Sequence, residues 1–549
     1  MKRDLFDPTA AYLANFPAGT LPASEELVRL AHAHWLDSLR KNGNEPSRNH
    51  QDAGWQLLRA MVDQLYGVRT GRYAYALHCG AGKTQAVVAL LSAMFTLRVF
   101  RSKTVLVVAQ QVEALCSIKG NLLGAGLPER SVGIVHSMTD SAYPSTGDEK
   151  RPIMLATHAR VQWDGSLSDC CRNRHGTLHD LVIWDEALIS TEAVCLNLAS
   201  TRTALGHFAE RCPTVAKAHE RLRDALNLEQ ARQAAGDAAC ELAPLTTEHE
   251  TELAESELTA AGYLDKTEQS LREQAINGTR LLGYPFSLID PRNGESAGLM
   301  RYTVKVPDAL SNIVILDASH AIDELRQADR TIRAGTTEAM INFKDFSTVT
   351  AIHYPLASGR STIKEDGRAI LEAVRICQGL PQDEPVLFVT FKDWHERQLA
   401  EELRAAGVSA GRGLPDGGPS RSVITWGRHT SDNSYAHCKH VVLVGLHRLP
   451  LATTASQLAA QKRDLTHRLD KGELLGLEQT VIAGNVMQAM NRGCMRLTDS
   501  EGKAHPMTVH IIARDDLRPL LWKAMRGLRW DTVKVKEPTR TEEAAGQIV

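Results

Sequence analysis

Nothing in the 549-residue sequence spaces cysteines for a metal knuckle: there are 10 cysteines and no C-x-x-C pair. They are also too sparse for the disulfide framework of a small secreted fold, so reduced thiols are the expectation. No run approaches the roughly 18 consecutive apolar residues of a membrane span, and Asp4 and Asp7 interrupt the stretch where a secretory signal needs apolar continuity. A cytoplasmic chain that makes no use of a membrane follows as an expectation. An excess of one charge is missing too. With 63 Lys+Arg against 65 Asp+Glu, the net charge is −2, so any nucleic-acid contact must use a local basic groove instead of a global field. Internal repeats and low-complexity blocks are absent, and 43% hydrophobic with 23% charged residues excludes a wholly disordered or fibrous chain. At roughly 100–200 residues per domain, the length leaves room for about three.

What is present begins with helical periodicity. In SEELVRLAHAHWLDSL, Leu27, Leu30, Ala31 and Trp35 fall near one face, and DAGWQLLRAMVDQLYG ends at a capping Gly67. Residues 1–70 are therefore expected to form an N-terminal helical segment. Short apolar runs alternating with helices then follow: YAYAL, TVLVVA, VGIVH, PIMLAT and LVIWD. Runs without polar alternation are buried on both faces, which is the mark of a parallel sheet covered by helices. This pattern lapses over 191–310, where Ala, Glu, Arg, Gln and Leu dominate helical stretches and acids outnumber bases. It returns at NIVILDA and continues through PVLFVTF, SVITW, HVVLVG and MTVHIIA. The fold expected is α/β, with a first domain of 71–190 plus 311–345, a helical insertion over 191–310, a second domain over 346–535, and a polar, flexible tail at 536–549.

The strongest local signal is YAYALHCGAGKTQAVVALLSAMF, in which a strand meets Gly80-Ala81-Gly82-Lys83-Thr84 and a helix starts at once. Glycines let the backbone curl so that its N–H groups face phosphate oxygens beside the positive end of the helix dipole. Lys83 is expected to neutralise the β/γ-phosphates of ATP, and the Thr84 hydroxyl to meet Mg²⁺. About one hundred residues on, LVIWDEAL ends a buried strand in Asp185-Glu186. Asp185 is the expected Mg²⁺ partner through water, and Glu186 the group that polarises an attacking water.

These motifs resemble those of superfamily 2 helicases and translocases, DEAD/DEAH-like P-loop ATPases, in which the first glycine of the loop is often a small apolar residue; Leu77 stands there in this chain. Further segments fall in the family's order. VLVVAQQVEAL, with Gln110 at its strand end, and MLATHARV, with Thr157 and His158, resemble its nucleic-acid backbone-contacting motifs. ILDASH puts Asp317-Ala318-Ser319 where the family has Ser-Ala-Thr. TWGRHTSDNSYAHCKHVVLVG, containing Asn433, resembles a further motif that touches nucleic acid. QAMNRGCMR places Gln488, Arg492 and Arg496 at i, i+4 and i+8, so that one helix face presents an amide and two guanidiniums, with Arg492 as the better arginine finger. Gln51 is the candidate for the family's adenine-reading glutamine; a glutamine in a polar turn is otherwise simply exposed.

The resemblance implies two RecA-like parallel-sheet domains with a helical insertion in the first, ATP and Mg²⁺ as cofactors, and an ATP-dependent helicase or translocase on nucleic acid, DNA more than RNA, tracking one strand. An ATPase that remodels or recruits without unwinding is the other reading of the same motifs. The insertion occupies the slot of the Arch domain in XPD/DinG-like helicases and is a candidate surface for a protein partner. Only Cys116, Cys170 and Cys171 lie between the P-loop and the acidic pair, too few for that group's four-cysteine iron–sulfur cluster. Cys170, Cys171, His175 and His179 are zinc-ligand types, but a loop with free thiols accounts for them more simply.

Overall fold

The computed structural model describes residues 23–534 apart from 140, 148–149, 163–166, 239, 264, 290–296, 409, 412–420, 428–433 and 469. The expected tail at 536–549 and the candidate Asn433 lie outside the described residues. Two helices open the described chain, Ala23–Lys41 and Arg48–Leu65. Leu27, Ala31, Trp35, Leu57 and Met61 from these helices share one core with Ala86, Leu90 and Met94 of helix Lys83–Thr96. The fit is close. A Cβ added to Gly54 would stand 2.1 Å from the Trp35 ring, so the crossing of the two helices requires glycine there.

Strands β1 (Arg72–Ala74), β2 (Val105–Ala109), β3 (Val132–Val135), β4 (Ile153–Thr157) and β5 (Leu181–Asp185) come next. After them the chain leaves for β6 (Thr191–Asn197), four helices, β7 (Ser287–Ile289) and β8 (Gly298–Val304), and returns as β9 (Ile313–Leu316) and β10 (Ile332–Ala334). The first sheet has the order β10-β1-β9-β5-β2-β4-β3 and every pairing in it is parallel. The strand leading to the P-loop is shorter than YAYAL suggests, because the Ala76 N–H is taken by the Thr336 hydroxyl at 2.6 Å instead of a ladder carbonyl.

A second sheet holds β11 (Val349–Tyr354), β12 (Val386–Thr390), β13 (Ala410–Gly411), β14 (Arg421–Thr425), β15 (His440–Val444), β16 (Met507–Ile512) and β17 (Arg529–Thr532). Its order is β13-β14-β12-β15-β16-β11-β17, again wholly parallel. The architecture is thus α/β with two RecA-like parallel-sheet lobes, each faced by helices.

The excursion from the first lobe is not purely helical. Helices Leu198–Phe208, Pro213–Ala234, Glu248–Ala261 and Lys266–Leu282 enclose a core of their own around Leu205, Phe208, Leu222, Leu258 and Leu282. Beneath them lies an antiparallel sheet of order β6-β8-β7, which helix-dominated composition had hidden. That sheet rests on helix Leu451–Lys462 of the second lobe: Ile289 and Met300 pack with Ala459 and Leu465. Arg463 pairs with Asp308 through two bonds of 2.6 and 2.7 Å, and Thr191 Oγ1 donates to Gln461 Oε1 at 2.8 Å. No helix among the described residues is long and apolar enough to cross a membrane.

Candidate functional site

Gly80 and Gly82 both take left-handed backbone angles, φ +83° and +80°, and Gly82 is the N-cap of helix Lys83–Thr96. A side chain at either position would be strained and would also collide, at Gly80 with the Arg496 carbonyl and at Gly82 with Leu39 and Trp35. The loop is braced from behind. Trp35 Nε1 donates to the Gly82 carbonyl at 3.0 Å, His50 Nε2 meets the Ala81 carbonyl at 3.1 Å, and Lys83 Nζ donates to the Leu77 carbonyl at 2.8 Å. With these carbonyls turned away and held, the first N–H groups of the helix, which have no intrahelical partner, face the cleft with the positive end of the dipole. Burial keeps His50 neutral, lowering its pKa to about 4.

The acidic pair stands at the carboxyl end of β5. Thr84 Oγ1 lies 3.4 Å from Asp185 Oδ2, so two oxygens of the type a magnesium ion prefers converge beside the phosphate loop. The donor set fits the ion on that ground. Burial pushes the Asp185 carboxyl upward in pKa while Lys83 opposes it; Glu186 is pushed up by burial and then by the neighbouring Asp185 charge. Glu186 has φ +74°, a conformation that costs free energy for a non-glycine residue and is kept only where surroundings enforce it. Here the enforcement includes its N–H, which donates to the Leu316 carbonyl at 3.3 Å, and Gln488 Nε2, 3.3 Å from Glu186 Oε2.

Gln488 belongs to the second lobe, on helix Lys471–Met490. The expectation of one helical face carrying Gln488, Arg492 and Arg496 is corrected by the structure. The helix ends at Met490, Arg492 lies in the following turn, and Arg496 closes a short 3-10 segment, Cys494–Arg496. Gly493 breaks the helix in an extended conformation, and a Cβ there would stand 2.4 Å from Met507 Sδ and 2.9 Å from the Cys438 carbonyl. Tertiary packing therefore redirects the chain, and the two arginines reach the cleft from a turn. The Arg496 carbonyl touches Gly80 and accepts from the buried Lys344 Nζ at 2.8 Å. Burial lowers the Lys344 pKa to about 7.

Gly80, Gly82, Lys83, Thr84, Asp185 and Glu186 from one lobe, and Arg492 and Arg496 from the other, line one cleft of about 1020 Å³. Gln110 lies at its rim. Other candidates are placed differently. Thr157 caps helix His158–Val161, its hydroxyl accepting from the Arg160 N–H. His158 is half-buried, stacked on Trp184 at 4.5 Å with Nε2 2.9 Å from the Asp185 carbonyl, so it supports the acidic pair from behind. Gln51 is buried in helix Arg48–Leu65 with its amide donating to the Pro46 carbonyl at 3.0 Å, and it does not line the cleft. Among the described residues no group of three metal-ligating side chains gathers, Cys170 and Cys171 being packed into the first lobe's core.

Sequence reasoning missed one wall. His34, Asp37, Ser38 and Lys41 project from helix Ala23–Lys41 into the same cleft. Their i, i+3, i+4, i+7 spacing was a readable signal, a polar stripe beside the apolar one.

No protein-family model matches the chain, and no curated protein matches it. Solved structures do. The chain is similar to XPD in its apo form, at 13% identity over 86% of this chain and 99% of that one, with a TM-score of 0.46. It is similar to S. tokodaii Xpd4 at 14% identity, 87% and 99% coverage and TM-score 0.46. The S. cerevisiae protein Dbp5, bound to RNA and ADP BeF3, matches at 12% identity, 96% and 97% coverage and TM-score 0.41.

Proposed function

We propose that this chain is an ATP-dependent helicase or translocase of the superfamily 2 type, acting on nucleic acid and on DNA in preference to RNA. The observation that carries the reading is the cleft itself: a phosphate loop and an acidic pair from one lobe face Gln488, Arg492 and Arg496 from the other. Lys83 and the helix N–H groups bind the phosphates of ATP, which releases Lys83 from the Leu77 carbonyl. Thr84 and Asp185 would hold Mg²⁺, which would supply neutralisation of phosphate charge. Glu186 orients the attacking water and accepts its proton, Gln488 fixes Glu186, and Arg492 offsets charge developing on the transferred phosphoryl group. Because these groups come from both lobes, hydrolysis removes what holds the lobes together, and that opening moves loops along the strand. The adenine faces the polar wall of helix Ala23–Lys41, taking over the role assigned by sequence to Gln51.

The test is ATP hydrolysis measured with single-stranded DNA, duplex DNA and RNA, for the wild type, Lys83→Ala and Glu186→Gln. Stimulation by single-stranded DNA, with both variants reduced by roughly a hundredfold or more, is the expected result. Hydrolysis that no nucleic acid stimulates, or that survives Lys83→Ala, overturns the reading. Strand displacement on forked duplexes then separates an unwinding motor from an ATPase that only remodels.

A further inference from the structure

Gln488 owes its orientation to a side chain that no motif marks. Arg326 sits on the short helix Glu324–Gln327, N-capped by Asp323. Its guanidinium is mostly buried and spans three acceptors. Nη1 donates to Asp317 Oδ1 at 2.6 Å and to Ser319 Oγ at 2.7 Å, while Nε lies 2.8 Å from Asp323 Oδ2. Ser319 Oγ in turn donates to Asp317 Oδ1 at 3.1 Å and receives Gln488 Nε2 at 3.0 Å. A hydroxyl has one hydrogen and two lone pairs, and here all three are spoken for. Towards Gln488 the Ser319 oxygen can act only as an acceptor. The amide must therefore present its nitrogen to both Ser319 and Glu186, and the opposite flip would aim its oxygen at the Glu186 carboxylate. The second lobe sits down on this network, a Cβ at Gly484 falling 3.3 Å from Ser319 Cβ. Glu324 adds a bond across the junction, its N–H donating to Thr480 Oγ1 at 3.3 Å.

We propose that Arg326 is a positioning residue: by holding Asp317, which takes the Ser319 hydrogen, and by filling one Ser319 lone pair, it fixes the Gln488 amide in the flip that holds Glu186 towards the attacking water. The inference rests on the cleft being an ATPase site. Arg326 does not line the cleft; its charge also acts on Glu186, but its hydrogen bonds reach that carboxylate through Ser319 and Gln488. Arg326→Lys keeps the charge between Asp317 and Asp323 but replaces the planar fork by a point donor that cannot reach all three acceptors at once. Ser319→Ala removes the shared hydroxyl without changing any charge.

The experiment is a double-mutant cycle in steady-state ATPase with nucleic acid present, using Arg326→Lys, Ser319→Ala, Gln488→Ala and the pairs that include Gln488→Ala. Each single variant is expected to lower kcat by roughly tenfold with the KM for ATP held within about twofold. Neither Arg326→Lys nor Ser319→Ala should lower kcat further once Gln488 is alanine, because their effect passes through that amide. A general packing role predicts losses that multiply, together with a lowered Tm. Multiplying losses, or full kcat in both Arg326→Lys and Ser319→Ala, overturn the proposal; if Arg326→Lys does not fold, Ser319→Ala with Gln488→Ala decides it. A wild type without Lys83-dependent hydrolysis removes the ATPase reading itself, a result distinct from a wild type that hydrolyses ATP while these variants match it.

Discussion

Two of the junctions between the lobes are built differently. On the nucleotide side the contact is polar and buried: Gln488 bridges Ser319 and Glu186, and Arg326 sits between Asp317 and Asp323. That side also carries strain at Glu186 and leaves Gln488 Oε1 and Asp317 Oδ2 buried without hydrogen-bond partners. On the insertion side Ile289 and Met300 cover Ala459 and Leu465, and the Arg463–Asp308 pair closes the rim. Opening a polar contact exchanges its hydrogen bonds for bonds to water at small net cost. The insertion side also has a left-handed residue, Arg463 at φ +55°, and buried Arg463 Nε and Gln461 Nε2 atoms without hydrogen-bond partners, but opening it would in addition expose its apolar patch to water. The nucleotide side is thereby suited to switch and the insertion side to tether.

The largest effect should come from removing charge from the switching side. Arg492→Ala is expected to lower kcat by roughly a thousandfold and to leave ATP binding within a few-fold of the wild type by fluorescent-nucleotide titration. Loss of binding in proportion to kcat would instead make Arg492 a ground-state anchor, and the two junctions would then differ less than their geometry implies.

How far the sequence anticipates this comparison depends on the signal each part leaves. β2 and β5 are legible because strands buried on both faces drop polar alternation, and Gly80 and Gly82 are legible because the phosphate loop needs left-handed backbone at both. The edge strands β10 and β17 are short, polar and largely exposed, so nothing in IRA or RWDT announces them. Arg326 lies in a four-residue helix with no pattern, and its role exists only once Ser319 and Gln488 are brought together from 169 residues apart. His158 was legible as a residue at a strand end but not as a ring stacked on Trp184, since a polar residue in that position is ordinarily exposed. The break after Met490 was within reach, because Gly493 falls where helices commonly end.

The comparison sharpens under acid. His50 and His78 are buried beside the phosphate loop, and burial lowers their pKa values to about 4 and about 3, from an ordinary 6.5. Both folded values lie below the unfolded one. The unfolded chain therefore takes up protons as pH falls through 6.5 while the folded chain does not, so stability is complete above 6.5 and is lost progressively below it. Each such histidine costs about 1.4 kcal/mol per pH unit until its folded pKa is reached. On the tethering side Asp308 has its pKa lowered by its hydrogen bond to Arg463, so that pair survives mild acid. Denaturant titrations at pH 7, 6 and 5 should show falling stability. Hydrogen exchange should show protection around residues 78–84 declining before protection in β6 and β8; simultaneous loss would mean that the two junctions do not open separately.

The smallest effect belongs to the tether's rim. Asp308 is 61% exposed and Arg463 24%, so water screens the pair, and Arg463→Ala should cost no more than about 1 kcal/mol in stability. The apolar patch beneath it remains, and Ile289 and Met300 keep the insertion seated. ATPase activity should be unchanged within about twofold, since no cleft residue moves. A drop in kcat of tenfold or more from this remote substitution would mean that the insertion's grip on helix Leu451–Lys462 sets the cleft, and the tether would then be part of the switch.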